Sequence, residues 1–172
     1  MPTRSNTRWI GLLLVALTAL GTAACERKQE AAKVEAAKPA ASAPDASEVA
    51  WKGYDEGLTE AKASNKPVCL IFYTDWCPHC QNYHKVFKDP ALIKLSQQFV
   101  MIHINKDKDP ATSAKYAPDG DYIPRTFFLK PDGTLLDQIT EQRPQYKYFY
   151  DEHDPASVMR SMNAVLAMSA TG

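Results

Sequence analysis

An unbroken apolar run, Val68-Cys69-Leu70-Ile71-Phe72-Tyr73, leads through Thr74-Asp75-Trp76 into Cys77-Pro78-His79-Cys80. Six strand-forming residues without polar alternation are the pattern of a strand buried on both faces. After Cys80 the spacing changes: Tyr83, Val86 and Phe87 recur at helical intervals, and Pro78 sits where the first turn of a helix tolerates proline. Two cysteines separated by two residues can open and close a disulfide at low strain. At a strand-to-helix junction the first sulfur meets the partial positive charge of a helix N-terminus, which stabilises a thiolate. Cys77 and Cys80 are therefore the candidate catalytic residues.

The segments around this junction repeat its logic. Tyr54 to Ala63 has the spacing of a short amphipathic helix, with Leu58 and Ala61 on one side, and Asn65-Lys66-Pro67 stops it. Pro90 to Gln98 reads as another short helix and Phe99 to Ile104 as a second buried strand. Strand, helix, strand in that order implies a parallel pair joined by a right-handed crossover. Lys106 to Tyr122 is polar and proline-bearing, which predicts a long loop. Arg125 to Leu129 and Leu135 to Ile139 flank Pro131-Asp132-Gly133-Thr134, a turn signal that predicts an antiparallel hairpin. Asp154-Pro155-Ala156-Ser157 opens a last helix carrying Val158, Met162, Val165 and Leu166 on one face.

The first part of the chain has a different character. Arg4 and Arg8 precede Ile10–Leu20, an uncharged Leu-rich run of eleven residues that is too short to span a bilayer comfortably and reads as the core of a secretory signal. Thr22-Ala23-Ala24-Cys25 follows and resembles the bacterial lipobox, in which the cysteine is acylated and becomes the mature N-terminus, although the usual Leu three residues before the cysteine is missing. Residues 1–24 are accordingly assigned as a lipoprotein signal peptide and Cys25 as the lipidation site. Residues 25–50 form a tether rich in Ala, Lys, Glu and Pro, with too little apolar surface to offset its ordering entropy. The folded domain is expected over 51–172. Without residues 1–24, 18 basic side chains face 20 acidic ones, so no nucleic-acid partner is expected.

Three residue groups resemble the thioredoxin superfamily: Lys66-Pro67-Val68 through Cys80, the Ile123-Pro124 pair, and Phe127-Phe128-Leu129 with Asp132-Gly133-Thr134. Pro118-Asp119-Gly120-Asp121-Tyr122-Ile123-Pro124-Arg125, Ser96-Gln97-Gln98-Phe99-Val100-Met101 and Tyr146-Lys147-Tyr148-Phe149-Tyr150 carry a narrower resemblance. It is to the small endoplasmic-reticulum group of thioredoxin domain-containing protein 12 and the anterior-gradient proteins. The chain departs from that group in its lipobox, in lacking a C-terminal retention signal, and in keeping both cysteines where the anterior-gradient proteins lack a complete pair. It reads as a bacterial lipoprotein relative. The resemblance implies an α/β thioredoxin-like fold, with a central mixed β-sheet flanked by helices.

The resemblance also implies roles. Cys77 would be the exposed nucleophile and Cys80 the shielded resolving thiol, with a mixed disulfide on Cys77 between them. His79, which can give a hydrogen bond or charge to the Cys77 sulfur, would tune the site with Pro78, Trp76 and Asp75. Pro78-His79 is also the dipeptide of the strongly oxidising periplasmic enzyme DsbA. Ile123 before the proline instead resembles reducing thioredoxins. Pro124 is expected to be cis, with Ile123, Pro124 and Tyr122 forming the substrate-docking edge beside Trp76. The family's buried carboxylate would fall at Ile71, leaving Asp75 or water to move the proton of Cys80.

The activity implied is thiol–disulfide exchange with protein cysteines on the periplasmic side of a membrane, with the membrane not specified. The redox-active Cys77–Cys80 disulfide would be the only redox group, with no cofactor and no metal. The partners would be proteins with cysteines or disulfides, together with a membrane electron donor or acceptor. Direction among reductase, oxidase and isomerase is left open. Two rival readings remain. One is a copper-binding metallochaperone using Cys77, Cys80 and His84, which shares a side of the helix with Cys80. The other is a client-binding module whose dithiol is incidental. Gln81 stands where haem attachment would need histidine. Cys69 and His103 read as packed strand residues, His153 as a solvated loop residue, and Tyr146–Tyr150 as packing before the last helix.

Overall fold

Val68–Tyr73, buried along almost its whole length, is an inner strand of the sheet. The computed structural model describes residues 47–170, so the signal segment, Cys25 and most of the tether lie outside the described residues. In chain order the elements are β1 (Trp51–Lys52), α1 (Tyr54–Ser64), β2 (Val68–Tyr73), α2 (Pro78–Val86), α3 (Pro90–Ser96), β3 (Val100–Asn105), α4 (Pro110–Lys115), β4 (Arg125–Leu129) and α5 (Pro155–Ser169). The strand order is β1-β3-β2-β4. β2 pairs parallel to β3, with Ile71 opposite His103, and antiparallel to β4, with Phe72 opposite Arg125. This is the thioredoxin-like fold, with a mixed four-stranded sheet flanked by helices.

Alternation along the strands divides the core in two. Cys69, Ile71, Met101 and Phe128 face α2, α3 and α5, where they meet Tyr83, Leu92, Val158, Met162 and Val165. Val68, Leu70, Phe72, Ile102 and Phe127 face α1 and Tyr116 at the end of α4. Each fully buried Phe or Leu contributes roughly 1.5–3 kcal/mol relative to exposure, so both faces are needed to hold the sheet. α1 lies close on β3 because of Gly57: a Cβ there would sit 2.5 Å from the Ile102 side chain.

Three helices begin on the same device. Asp89, Asp109 and Asp154 are the N-caps of α3, α4 and α5, each accepting backbone N–H groups from the first turn, and each is followed by proline at the first helical position. α4 corrects the expected long loop, and Asp109-Pro110 was its signal. The expected hairpin is corrected as well. Its turn forms, with Gly133 at φ +88° and Lys130 N–H donating to Thr134 O at 2.8 Å. The return strand then stops after a single bridge, Leu129 to Leu135. Beyond it the exposed polar residues Asp137 and Gln138 turn away, and the other chain at this sheet edge is the 146–150 segment, whose Tyr148 O accepts Thr126 N–H at 2.8 Å. Of the aromatic string, Tyr148 and Tyr150 pack inward, whereas Tyr146 is 53% exposed.

Candidate active site

Cys77 is the N-cap of α2. Its backbone is extended, Pro78 occupies the first helical turn, and the Cys80 N–H donates to the Cys77 Sγ at 3.2 Å. A sulfur in this position receives an amide that the helix itself cannot satisfy, so negative charge on Cys77 is met by a donor and by the helix dipole. Cys80, one turn further, is in a different electrostatic position. Burial and then the neighbouring Cys77 sulfur push its thiol up to about 12. The two sulfurs are placed differently: Cys77 accepts an N-terminal amide of α2, while burial holds the proton on Cys80.

The expectation that Cys77 is exposed is corrected. Cys77 is 3% exposed and Cys80 5%, so access does not distinguish them; hydrogen bonding and desolvation do. Trp76 is the exposed neighbour, 69% open, with its indole N–H donating to Asp107 Oδ2 at 2.8 Å. Asp75 is also outside: its carboxylate is largely exposed and lies 3.3 Å from Lys108 Nζ. The His79 side chain is also largely exposed, at 61%. Its Nδ1 is 2.7 Å from Glu152 Oε2, and its ring meets the edge of Phe149. Glu152 is 73 residues away in sequence, and no local pattern pointed to it.

The Ile123-Pro124 peptide is cis, as expected. Pro124 is buried and lines a small cavity together with Cys80, Tyr83, His84 and His103. Tyr122 is half-buried with its hydroxyl committed internally, donating to Asp119 and accepting from Tyr148 N–H at 3.0 Å. Arg125, fully buried, anchors the same segment through Gly120 O and Asp121 Oδ1, both at 2.8 Å, and through Ser113.

Ile71 is buried where the family's carboxylate was expected, and His103, its partner on β3, occupies the adjoining position on the same face. His103 stacks on Tyr73 at 3.7 Å between ring centroids, with Trp51 and His84 beside it. Burial first, and then His84, lowers its pKa to about 4. Set against an unfolded value near 6.5, the folded protein binds fewer protons in this interval. The stability that His103 contributes is complete above about pH 6.5 and is lost as pH falls toward 4. Urea unfolding should show a loss of a few kcal/mol across that window, and His103→Phe should flatten it while keeping the aromatic stack. An unchanged slope in His103→Phe would remove His103 as the source.

Cys69 is fully buried and its thiol is pushed up by desolvation alone, which makes it an inert packing residue. Among the described residues no group of three His, Cys, Asp or Glu side chains could hold a metal ion. Cys77, Cys80 and His84 are therefore not gathered into a ligand set.

A family model described as thioredoxin-like matches residues 50–131. The human anterior gradient protein 2 homolog is 35% identical over 119 residues, which are 69% of this chain and 66% of that protein. Anterior gradient protein 3 of Xenopus tropicalis is 32% identical over 127 residues, 72% of this chain and 76% of that protein. The chain thus spans about two thirds of the human relative's length. Among solved structures, a thioredoxin from Thermus thermophilus aligns with a TM-score of 0.56 at 21% identity, covering 70% of this chain and 89% of the other. A disulphide isomerase from Xylella fastidiosa aligns with a TM-score of 0.51 at 20% identity, covering 65% and 87%. These two likenesses concern the fold. The sequence relatives go further: the chain is a thioredoxin-like protein that belongs with the anterior-gradient proteins.

Proposed function

We propose that this protein is a thiol–disulfide oxidoreductase that exchanges disulfides with protein cysteines through Cys77 and Cys80. The observation that carries the reading is the asymmetry of the pair. The Cys77 sulfur accepts the Cys80 N–H at the start of α2, while the Cys80 thiol is held protonated up to about 12. In the reductive direction the Cys77 thiolate attacks a substrate disulfide and expels one substrate thiolate, leaving a mixed disulfide. Cys80 then attacks the Cys77 sulfur, releases the second substrate thiolate and closes the Cys77–Cys80 bond as its own proton leaves. The oxidative direction is the same sequence reversed. Pro124 beside Cys80 and the exposed Trp76 border the face on which an extended substrate segment would lie.

The leader-like run Ile10–Leu20 and the Thr22-Ala23-Ala24-Cys25 string support export and lipid attachment at Cys25. The domain would then work at a membrane in an oxidising compartment, served by a membrane electron donor or acceptor. Cys80→Ser tests the reaction directly. Incubated with a disulfide-bearing protein, it should accumulate a covalent adduct that is resolved by reductant and maps to Cys77 by peptide mass. If no adduct accumulates while the wild-type protein turns the substrate over, the two-step route through Cys77 is wrong.

A further inference from the structure

We propose that Glu152 is a positioning residue that sets the reduction potential of the Cys77–Cys80 pair through His79, by holding the imidazole and its charge on the carboxylate rather than at the Cys77 sulfur. The inference rests on the disulfide-exchange reading and deepens it, because the potential decides which way electrons flow.

The geometry is specific. Glu152 Oε2 lies 2.7 Å from His79 Nδ1, and the opposite carboxylate oxygen accepts from Asn82 Nδ2 at 3.3 Å. Asn82 lies three residues beyond His79 on α2, so one carboxylate from the segment before α5 grips the first turns of the active-site helix at two points. His153 Nε2 lies 3.2 Å from the same outer oxygen. The Glu152 side chain is 12% exposed and that of His79 61%, so the carboxylate is the fixed partner and the imidazole the one held. Phe149 meets the imidazole in a T-shaped contact at 5.9 Å between ring centroids, and Arg143 lies over the Phe149 ring. The donor that does reach the Cys77 sulfur is the Cys80 N–H.

A histidine charge free to act on Cys77 favours the thiolate and therefore the reduced dithiol, which makes the disulfide more oxidising. A carboxylate that holds that histidine keeps its charge away from the Cys77 sulfur. Glu152 then draws the potential down from the value that the Pro-His dipeptide would otherwise set. Neither the helix start nor the cysteines change; only the charge beside them does.

The experiment equilibrates the full chain with glutathione. One protein disulfide and two glutathione thiols give one protein dithiol and one glutathione disulfide, with two electrons transferred. At about pH 5.5, a unit below the ordinary histidine value, a histidine beside a neutral neighbour is mostly charged. Glu152→Gln keeps the length of the side chain but offers one accepting oxygen to the two donors His79 Nδ1 and Asn82 Nδ2, so it removes the ion pair and loosens the hold on the imidazole. It should move the equilibrium about tenfold toward dithiol, a rise of about 30 mV for a two-electron couple. In a His79→Ala background the same substitution should produce less than a threefold change. A Glu152→Gln potential equal to or below wild type overturns the inference while leaving disulfide exchange intact. So does a shift of the same size with and without His79. A Cys77–Cys80 pair that forms no reversible disulfide overturns the exchange reading and this inference with it.

Discussion

Cys77→Ser should reduce turnover of a protein disulfide to the uncatalysed rate without loosening the fold. Serine cannot form the intramolecular disulfide, and its hydroxyl supplies no anion at neutral pH, so both the attack and the storage of oxidising equivalents disappear. Cys80 cannot take over. Its thiol is pushed up first by burial, which the substitution leaves in place, so it supplies little thiolate at neutral pH. The fold should be untouched because position 77 is the N-cap of α2 and its side chain accepts the Cys80 N–H. A serine oxygen accepts that bond at least as well, and serine is among the favoured N-caps, so stability should hold or rise by a few tenths of a kcal/mol. The paired measurement is substrate turnover and the urea midpoint on the same preparation. Turnover within about twofold of wild type would remove Cys77 from the chemistry and favour a client-binding module with an incidental dithiol. A matching loss of stability would mean that the N-cap geometry has been misjudged.

Much of this site could be read from the residues alone because its parts are contiguous. A six-residue buried strand, a cysteine at the turn, a proline in the first helical position and a helical repeat after it each constrain the next, and local signals agree with the tertiary outcome. The cis Ile123-Pro124 peptide came from resemblance, not from physics, since nothing in the two residues demands it. The missed features are the ones that depend on distance. His79 is visible in sequence, but its Glu152 partner is supplied by a segment just before α5 that only tertiary packing brings near. His103 is visible as a strand residue, yet its place beside Ile71 and its stack on Tyr73 depend on strand register. A sulfur at a helix N-terminus is not thereby open to solvent; here the surrounding segments cover Cys77 and leave Trp76 outside. The α4 helix was missed for a different reason. Asp109-Pro110 is the same start signal as Asp89-Pro90 and Asp154-Pro155, but α4 spans only Pro110–Lys115 and has almost no apolar repeat to announce it. The expected hairpin is cut short after one bridge because turn chemistry fixes the turn and not the length of the strand after it.

Arg125→Ala should be the most destabilising single change outside the apolar core, by about 3 kcal/mol. Arg125 has no exposed surface, and its guanidinium donates to Gly120 O, Asp121 Oδ1 and Ser113 Oγ while lying 5.2 Å from the Phe72 ring. It therefore binds three separate pieces of chain to β4: the end of α4, the loop after it and the central strand. Breaking a fully buried ion pair by removing one partner costs about 3–5 kcal/mol, because the other charge is left dry. The lower end applies here. Asp121 is 60% exposed and keeps Lys106 as a partner, so its carboxylate can rehydrate. What remains is the loss of several charge-assisted hydrogen bonds and of the packing against Phe72, set against one guanidinium nitrogen, Nε, that is already unpaired. Arg125→Lys should recover less than half of the loss, since an ammonium cannot reach Gly120 O, Asp121 and Ser113 from one fixed fork. Because Arg125 directly follows Pro124, which shares a cavity wall with Cys80, the alanine variant should also exchange disulfides more slowly at temperatures where it remains folded. Urea unfolding at constant m-value measures the first effect and turnover per folded molecule the second. A change in stability below about 1 kcal/mol would mean that water replaces the guanidinium contacts at little cost, and that the loop before β4 is held by Tyr122, Asp119 and the 146–150 segment instead.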